Sequence, residues 1–573
     1  MRLFRPLACL LAFFSLASCA TVVATTAPAS QPPAEAFVIA ANPLAAAAGM
    51  AVLKGGGSAI DAAVAVQAML SLVEPQSSGV GGGAFINYFD AATGKLTIYD
   101  GREAAPAQAS STMFLDAAGK PLPMGEAMLS GRATGVPGAL AALRLAHGDH
   151  GRLPWASLFG DAERTAEQGF IVSPRLARMV AGKHPQSRAP DVQSYFRQGP
   201  GGALVRAGDR LKNAPYADFL RRLAEHDIAA FYAGATAARI VERTRQGPLG
   251  GSMTMADLAS YKAIKRDALC HAWRIYLACT PPPPSSGVSL LQLLAILEGT
   301  DIAARGPDDP QAWFLFAEAS RIMYADRDQF VADPAFAAVP VAGLLDPAYV
   351  AARRNLIGET AGPVPEPGQP ALAPVVATDS TVEQAGTSHF IIRDAAGNVV
   401  SMTTTVESIF GSGRMVDGFF LNNQMTDFSF APKDAQGRPV ANAVEPGKRP
   451  RSSMVPLILL TSDGRFAGAI GSAGGSAILA YVTKSLVAAV DWKIEMQQAI
   501  AAPNLMARGA NFQGEINKFS PHVLEGLRRR GIDLKPGQGE DSGVHGVMIR
   551  DGRIDGGFDP RREGVVLTQP PSG

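Results

Sequence analysis

Apolar residues recur at helical spacing over residues 43–73, in an alanine- and leucine-rich run that breaks at Gly55-Gly56-Gly57, and this pattern predicts two helices around a glycine turn. Lys54 and Asp61 interrupt the run, which excludes a transmembrane span. Short apolar segments at residues 84–89 and 95–99 then read as strands joined by Asp90-Ala91-Ala92-Thr93-Gly94. Helical spacing dominates from residue 135 to about residue 302, with helices expected at 139–147, 153–168 and 236–246, and another at 311–328. A Pro- and Gly-rich stretch, residues 362–374, has the composition of an exposed connector, and a mobile one if the chain is cut just beyond it. After it the period changes: residues 388–393, 399–405, 457–461 and 466–470 cluster or alternate as strands, 478–490 as a helix and 547–549 as a late strand. Periodicity alone therefore gives mixed α and β, with no internal repeat.

Composition narrows the class. A length of 573 residues accommodates several average domains or one large α/β unit, and 47% hydrophobic residues supply a large core. A net charge of +1 with 18% charged residues leaves no bulk polarity to favour nucleic acid or an anionic membrane. Arg2 and Arg5 followed by an apolar stretch at residues 7–16, too short to span a bilayer, read as a secretion signal covering residues 1–18. It ends in Leu16-Ala17-Ser18-Cys19, the form of a bacterial lipoprotein box, in which Cys19 is lipidated; in an ordinary cleavage site Cys19 has no such role. Residues 19–35, rich in Ala, Thr and Pro, read as a disordered tether, and Ala20 after the cysteine points to the outer membrane facing the periplasm. Membrane contact is thus expected only through the lipid anchor. Cys270 and Cys279 flank a segment that folds as a hairpin centred between Arg274 and Ile275, which sets the sulfurs opposite each other for a structural disulfide in an oxidising compartment.

The chemistry concentrates around Thr387. Gly386-Thr387-Ser388-His389-Phe390 opens a dense polar run that includes Ser401-Met402-Thr403-Thr404-Thr405 and Leu421-Asn422-Asn423-Gln424-Met425-Thr426-Asp427. A threonine hydroxyl is a poor nucleophile, but cutting the peptide bond before it frees an α-amine that serves as its base. Ordered glycine- and serine-rich motifs accompany it: Gly55-Gly56-Gly57-Ser58, Ser78-Gly79-Val80-Gly81-Gly82-Gly83, Asp100-Gly101-Arg102-Glu103, Pro284-Ser285-Ser286-Gly287, Ala325-Asp326-Arg327, Arg449-Pro450-Arg451-Ser452-Ser453-Met454 and Gly471-Ser472-Ala473-Gly474-Gly475-Ser476. Together these resemble the γ-glutamyltransferase family, a branch of the N-terminal nucleophile hydrolases that mature by self-cleavage.

The resemblance implies an α+β fold, a four-layer αββα sandwich of the N-terminal nucleophile hydrolase type built from both fragments of a cleaved precursor: a large piece, residues 36–386, and a small one, 387–573, associated as a heterodimer. It implies cleavage between Gly386 and Thr387, support of the nucleophile by Thr405, and an oxyanion hole from the backbone N–H groups of Gly474 and Gly475. Arg102, Ser452 and Ser453 are expected to hold a substrate carboxylate, and Gln424 and Asp427 its ammonium. Read alone, Gly386-Thr387 is a turn before a strand and Gly474-Gly475 a loop before a helix. Glu407 departs from the family, which often has asparagine there; a carboxylate either strengthens ammonium binding or, facing the substrate carboxylate, repels it. Residues 428–451, where some relatives carry a lid, leave that feature open. Gly79-Val80-Gly81-Gly82-Gly83-Ala84 satisfies a dinucleotide fingerprint, but a strand rather than a helix is expected after it. Eight scattered histidines give a metal site little support, and no cofactor is implied. The expected activity is hydrolysis or transfer of γ-glutamyl groups from glutathione and similar amides to water, amino acids or peptides. The alternatives are a cephalosporin or glutaryl acylase and an unprocessed, non-catalytic lipoprotein.

Overall fold

Two-residue alternation in the strand Ala36–Ala40 divides its side chains between two cores: Phe37 and Ile39 join one apolar cluster, Val38 and Ala40 another. The same division organises the whole computed structural model, which describes residues 34–247, 249–379, 381–537 and 542–570. The signal segment and Cys19 lie outside the described residues. In the first part of the chain the strands of the two large sheets are β1 (Ala36–Ala40), β2 (Gly83–Phe89), β3 (Leu96–Gly101), β4 (Ile264–Asp267), β5 (Leu269–Trp273) and β6 (Tyr276–Thr280). The second part adds β7 (Gly386–Arg393), β8 (Val399–Glu407), β9 (Leu457–Thr461), β10 (Phe466–Gly471), β11 (His545–Arg550), β12 (Arg553–Phe558) and β13 (Val565–Gln569).

One antiparallel sheet runs β13-β1-β7-β8-β2-β3-β4 and the other β12-β11-β10-β9-β6-β5. Between them Phe37, Ile39, Ile391 and Val399 meet Ile458, Leu460, Ala469 and Val547. Helices α1 (Pro43–Lys54), α2 (Ala59–Val73) and α3 (Ala139–His150) cover the far side of the first sheet, packing on Val38, Ile86, Phe390 and Met402. The far side of the second carries α4 (Gly287–Glu298), α5 (Pro310–Phe330) and α6 (Ile478–Leu486), which pack on Leu457, Leu459 and Ile470. The result is a four-layer αββα sandwich, as the motif resemblance implied. Strands β7 and β8 lie between β1 and β2, so residues from both sides of the Gly386–Thr387 bond interlock in one sheet.

The expected hairpin is present: Cys270 pairs with Cys279 across β5 and β6, and the two form a disulfide. The single helix expected over 153–168 is corrected to a short turn, Trp155–Leu158, followed by a helix only from Gly160 to Gln168. Pro154 holds an extended conformation before the turn, and the tight turn already buries Trp155, Leu158 and Phe159, whose spacing imitates a longer helix. The connector over 362–374 is largely exposed, yet α5 fastens it: Arg321 donates to the carbonyls of Gly362 and Pro363, and Gly368 N–H donates to Asp326.

Candidate active site

Register places Thr387 opposite Thr405 on neighbouring strands β7 and β8. Beyond that pair a bulge shifts the pairing by one residue, and Gly386 faces Glu407. Glycine is required at two close approaches here. A Cβ on Gly386 would collide with the carbonyl oxygens of Glu407 and Ser408, and one on Gly82 with that of Thr405. The glycine run that imitated a dinucleotide fingerprint is therefore a turn into β2 that lets the end of β8 pass.

Thr405 Oγ1 lies 2.7 Å from the Gly386 carbonyl oxygen, 3.2 Å from Thr387 Oγ1, and accepts the Glu407 backbone N–H at 2.8 Å. A carbonyl can only accept, so the single Thr405 proton goes to Gly386, and the Thr387–Thr405 bond must carry the Thr387 proton. The two hydroxyls thus form a directed chain from Thr387 to the carbonyl of the peptide that precedes it. Both threonines are buried, which keeps bulk water out of this chain. Arg562 Nη1 donates to the Thr387 carbonyl at 2.7 Å and fixes the following peptide. His389 bonds Thr403 at 2.9 Å, and burial, then His545, hold it well below the usual histidine range, so it supports the strand as a neutral ring.

Gly474 and Gly475 enter a short turn ahead of α6 with φ of 135° and 53°, values open to glycine. Among the described residues their N–H groups meet no acceptor, and they stand at the N-terminal end of a helix, where donors gather. A Cβ on Gly475 would strike the carbonyl oxygens of Glu383 and Gln384. The residues just ahead of Gly386 therefore lie across the glycine pair, beside a cavity of ≈ 230 Å³ lined by Gln384, Ala385, Gly474, Ala477 and Asn504.

Two charged clusters flank this segment. In the first, buried Arg102 pairs through Nη2 with Asp427, donates to the carbonyls of Arg451 (2.7 Å) and Pro450 (3.1 Å), and reaches Glu103 at 3.5 Å. Gln424 Nε2 bridges Glu407 (2.9 Å) and Asp427 (2.6 Å). Burial, reinforced by Asp427, pushes Glu407 well above the usual carboxylate range; burial pushes Glu103 up to about 8 against the pull of Arg102. Glu407 sits at φ 79°, a left-handed conformation that asparagine tolerates better than glutamate, and this aims its carboxylate at the residues expected to hold an ammonium.

Of the second cluster the sequence singled out only Ser453 for a role. Glu383, four residues before Thr387, is buried with its carboxylate on Arg327 Nη2 (2.6 Å), Arg451 Nε (3.2 Å), Ser453 Oγ (2.8 Å) and Ser476 Oγ (2.6 Å). Burial alone would raise Glu383, but Arg327, Arg451 and Arg508 outweigh it and hold the group below the ordinary carboxylate range. The expected carboxylate-binding set thus divides: Ser453 belongs to this cradle, Arg102 spends Nη2 on Asp427, and Ser452 Oγ accepts the Met454 N–H of its own loop at 3.1 Å. Within residues 428–451 the turn over 433–439 is largely exposed, while 440–444 and 448–451 are buried and Asn442 donates to Asp379 and to the Asp427 carbonyl.

This geometry has relatives. A family model described as Gamma-glutamyltranspeptidase matches residues 45–568. The chain is 34% identical over 546 residues to a glutathione hydrolase proenzyme of Bacillus subtilis (strain 168), covering 93% of this chain and 91% of the relative. It is 33% identical to the acylase ACY 1 proenzyme of Pseudomonas sp. (strain SE83), with 93% of each chain covered. Among solved structures, cephalosporin acylase from Bacillus halodurans superimposes with a TM-score of 0.81 at 27% identity, covering 96% of this chain and 99% of that one.

Proposed function

The chain belongs to the gamma-glutamyltranspeptidase family, and from that premise we propose that it cuts its own Gly386–Thr387 bond and then uses Thr387 to hydrolyse or transfer γ-glutamyl groups of glutathione and related amides. The observation that carries this reading is the directed hydroxyl chain from Thr387 through Thr405 to the Gly386 carbonyl.

In the first stage Thr387 Oγ1 attacks the Gly386 carbonyl carbon while Thr405 takes the Thr387 proton and gives its own to the carbonyl oxygen. Breaking the C–N bond passes that proton to the departing amine and leaves an ester between Gly386 and Thr387. Water then adds and splits the ester, giving the Gly386 carboxylate, the Thr387 hydroxyl and a free α-amine. Because β7 and β8 interlock with β1 and β2, the two pieces stay together as a heterodimer. In the second stage the same hydroxyl attacks a γ-glutamyl amide with the new amine as base. The N–H groups of Gly474 and Gly475 stabilise the oxyanion, each worth about 2.7–4 kcal/mol in such a hole. Water or an acceptor amine releases the acyl group. Glu407, Gln424 and Asp427 receive the donor's ammonium, which adds a positive charge where acids predominate.

Intact mass under denaturing conditions tests the first stage: wild type gives two fragments, the smaller beginning at Thr387, and Thr387→Ala one uncut chain. A single wild-type chain would sink the reading in favour of a non-catalytic protein.

One observation favours a second substrate. Burial and then Asp427 raise the Glu407 carboxyl, which weakens its hold on an ammonium and suits a glutaryl group that has none, the acyl class of an acylase. Rates on γ-glutamyl and glutaryl anilides decide between them.

A further inference from the structure

The segment ahead of the scissile bond presents two groups to the site one residue apart. Glu383 seats a carboxylate among Arg327, Arg451, Ser453 and Ser476, and Gln384 seats its backbone N–H on Glu407 Oε1 at 2.7 Å. A carboxylate among guanidiniums beside an N–H on an acid matches the acceptor and donor positions of an α-amino acid head, with a neutral N–H where the amino acid has its ammonium. The backbone locks the segment in place as well: Glu383 N–H donates to Ser476 Oγ at 2.9 Å, and Ser476 N–H donates back to the Glu383 carbonyl at 3.2 Å. The uncut chain therefore fills the site with its own residues.

Departure of the segment would upset the charge balance. Arg327, Arg451 and Arg508 are matched by Asp328, Asp379 and Glu383 through pairs of 2.6–3.2 Å. Without Glu383, three guanidiniums face two carboxylates, and a buried positive charge is left that only another anion can satisfy. The other cluster has the reverse balance, since Glu103, Asp427 and Glu407 crowd Arg102 and disfavour a further anion.

We propose that Arg327 and Arg451, with Ser453, form the receptor for the carboxylate of the acyl donor, and that Glu383 fills it as an internal surrogate until cleavage releases the segment. The role of Arg327 and Arg451 in choosing acyl groups rests on the acyl-transfer reading above. It holds for γ-glutamyl and glutaryl donors alike, because both carry a carboxylate at the same distance from the reacting carbonyl.

The test compares cleaved wild type and Arg451→Met on three p-nitroanilides: γ-glutamyl, glutaryl, which lacks the ammonium, and 4-aminobutyryl, which lacks the carboxylate. Loss of a charged hydrogen bond should lower kcat/KM for the first two by about 10- to 100-fold and leave the third within a few-fold. An equal loss on all three overturns the cradle while leaving the acyl-transfer reading intact. Wild type active only on the glutaryl compound overturns the γ-glutamyl reading while the cradle stands. Should Arg451→Met fail to mature, the uncut Thr387→Ala chain with and without Glu383→Ala decides. Acetate, which matches the deleted CH2–COO group, should raise the melting temperature of the double variant alone, with no response to chloride; no response to acetate overturns the proposal.

Discussion

Glu383 and Glu407 are both buried, and both engage the short segment before Thr387, Glu383 as part of it and Glu407 through the Gln384 N–H. Their surroundings drive them apart. Burial raises each, but three guanidiniums reverse its effect on Glu383 while Asp427 adds to it on Glu407. The difference teaches that neighbouring charge, and not depth, sets the state of a carboxylate in this site. It also divides the labour: one side is built for an anion, the other for a cation or a neutral group.

The largest effect should come from taking a cation out of the cradle. In the uncut Thr387→Ala chain, Arg327→Met leaves Glu383 short of a partner and should cost about 3–5 kcal/mol in urea unfolding, the usual penalty for breaking a buried pair. A loss near zero would mean that the cradle does not hold Glu383.

Next in size is Glu383→Gln in the same background, at about 1.5–3 kcal/mol near neutral pH. Its pH dependence has a definite sign. The folded value lies below the ordinary 4.5, so the stabilisation is complete above about pH 4.5 and is lost as pH falls through the folded value. The gap between parent and variant should therefore close on acidification; a gap that widens would contradict the pairing.

Smallest and opposite in sign is Glu407→Gln. Its folded value is raised, so the parent is favoured at acid pH and loses stability as pH rises above 4.5 toward the folded value. Near neutral pH the variant should gain on the order of 1 kcal/mol, read by the same unfolding experiment across pH. A destabilised variant would show that Glu407 is ionised and paired, and the contrast with Glu383 would disappear.

Much of the frame was legible in the chain. Alternation in residues 388–393 and 399–405 predicts the two strands that become β7 and β8, and an eighteen-residue separation with a turn between them brings Thr387 and Thr405 together. The glycines at 386 and 474–475 were legible through motif resemblance, and the structure supplies their reason: Gly386 and Gly475 let backbone pass where a side chain would collide, and Gly474 takes a φ of 135°. The turn at Trp155–Leu158 reads as helix in the sequence because its apolar residues imitate helical spacing. Glu383 carried no local signal, and Arg451 only its place in the Arg449-Pro450-Arg451-Ser452-Ser453 motif: they lie 68 residues apart, each in irregular chain, and meet only because the loop before β9 folds back over the segment before β7.

The sequence by itself determined the strands that carry Thr387 and Thr405, the two helices around Gly55-Gly56-Gly57 and the threonine that follows Gly386, because those depend on neighbours a few residues away and on backbone sterics. The tertiary structure alone decided which carboxylate is raised, which is lowered, and which group each arginine serves. Those properties are sums of desolvation and Coulomb terms over side chains from distant segments, and no local stretch of chain contains them.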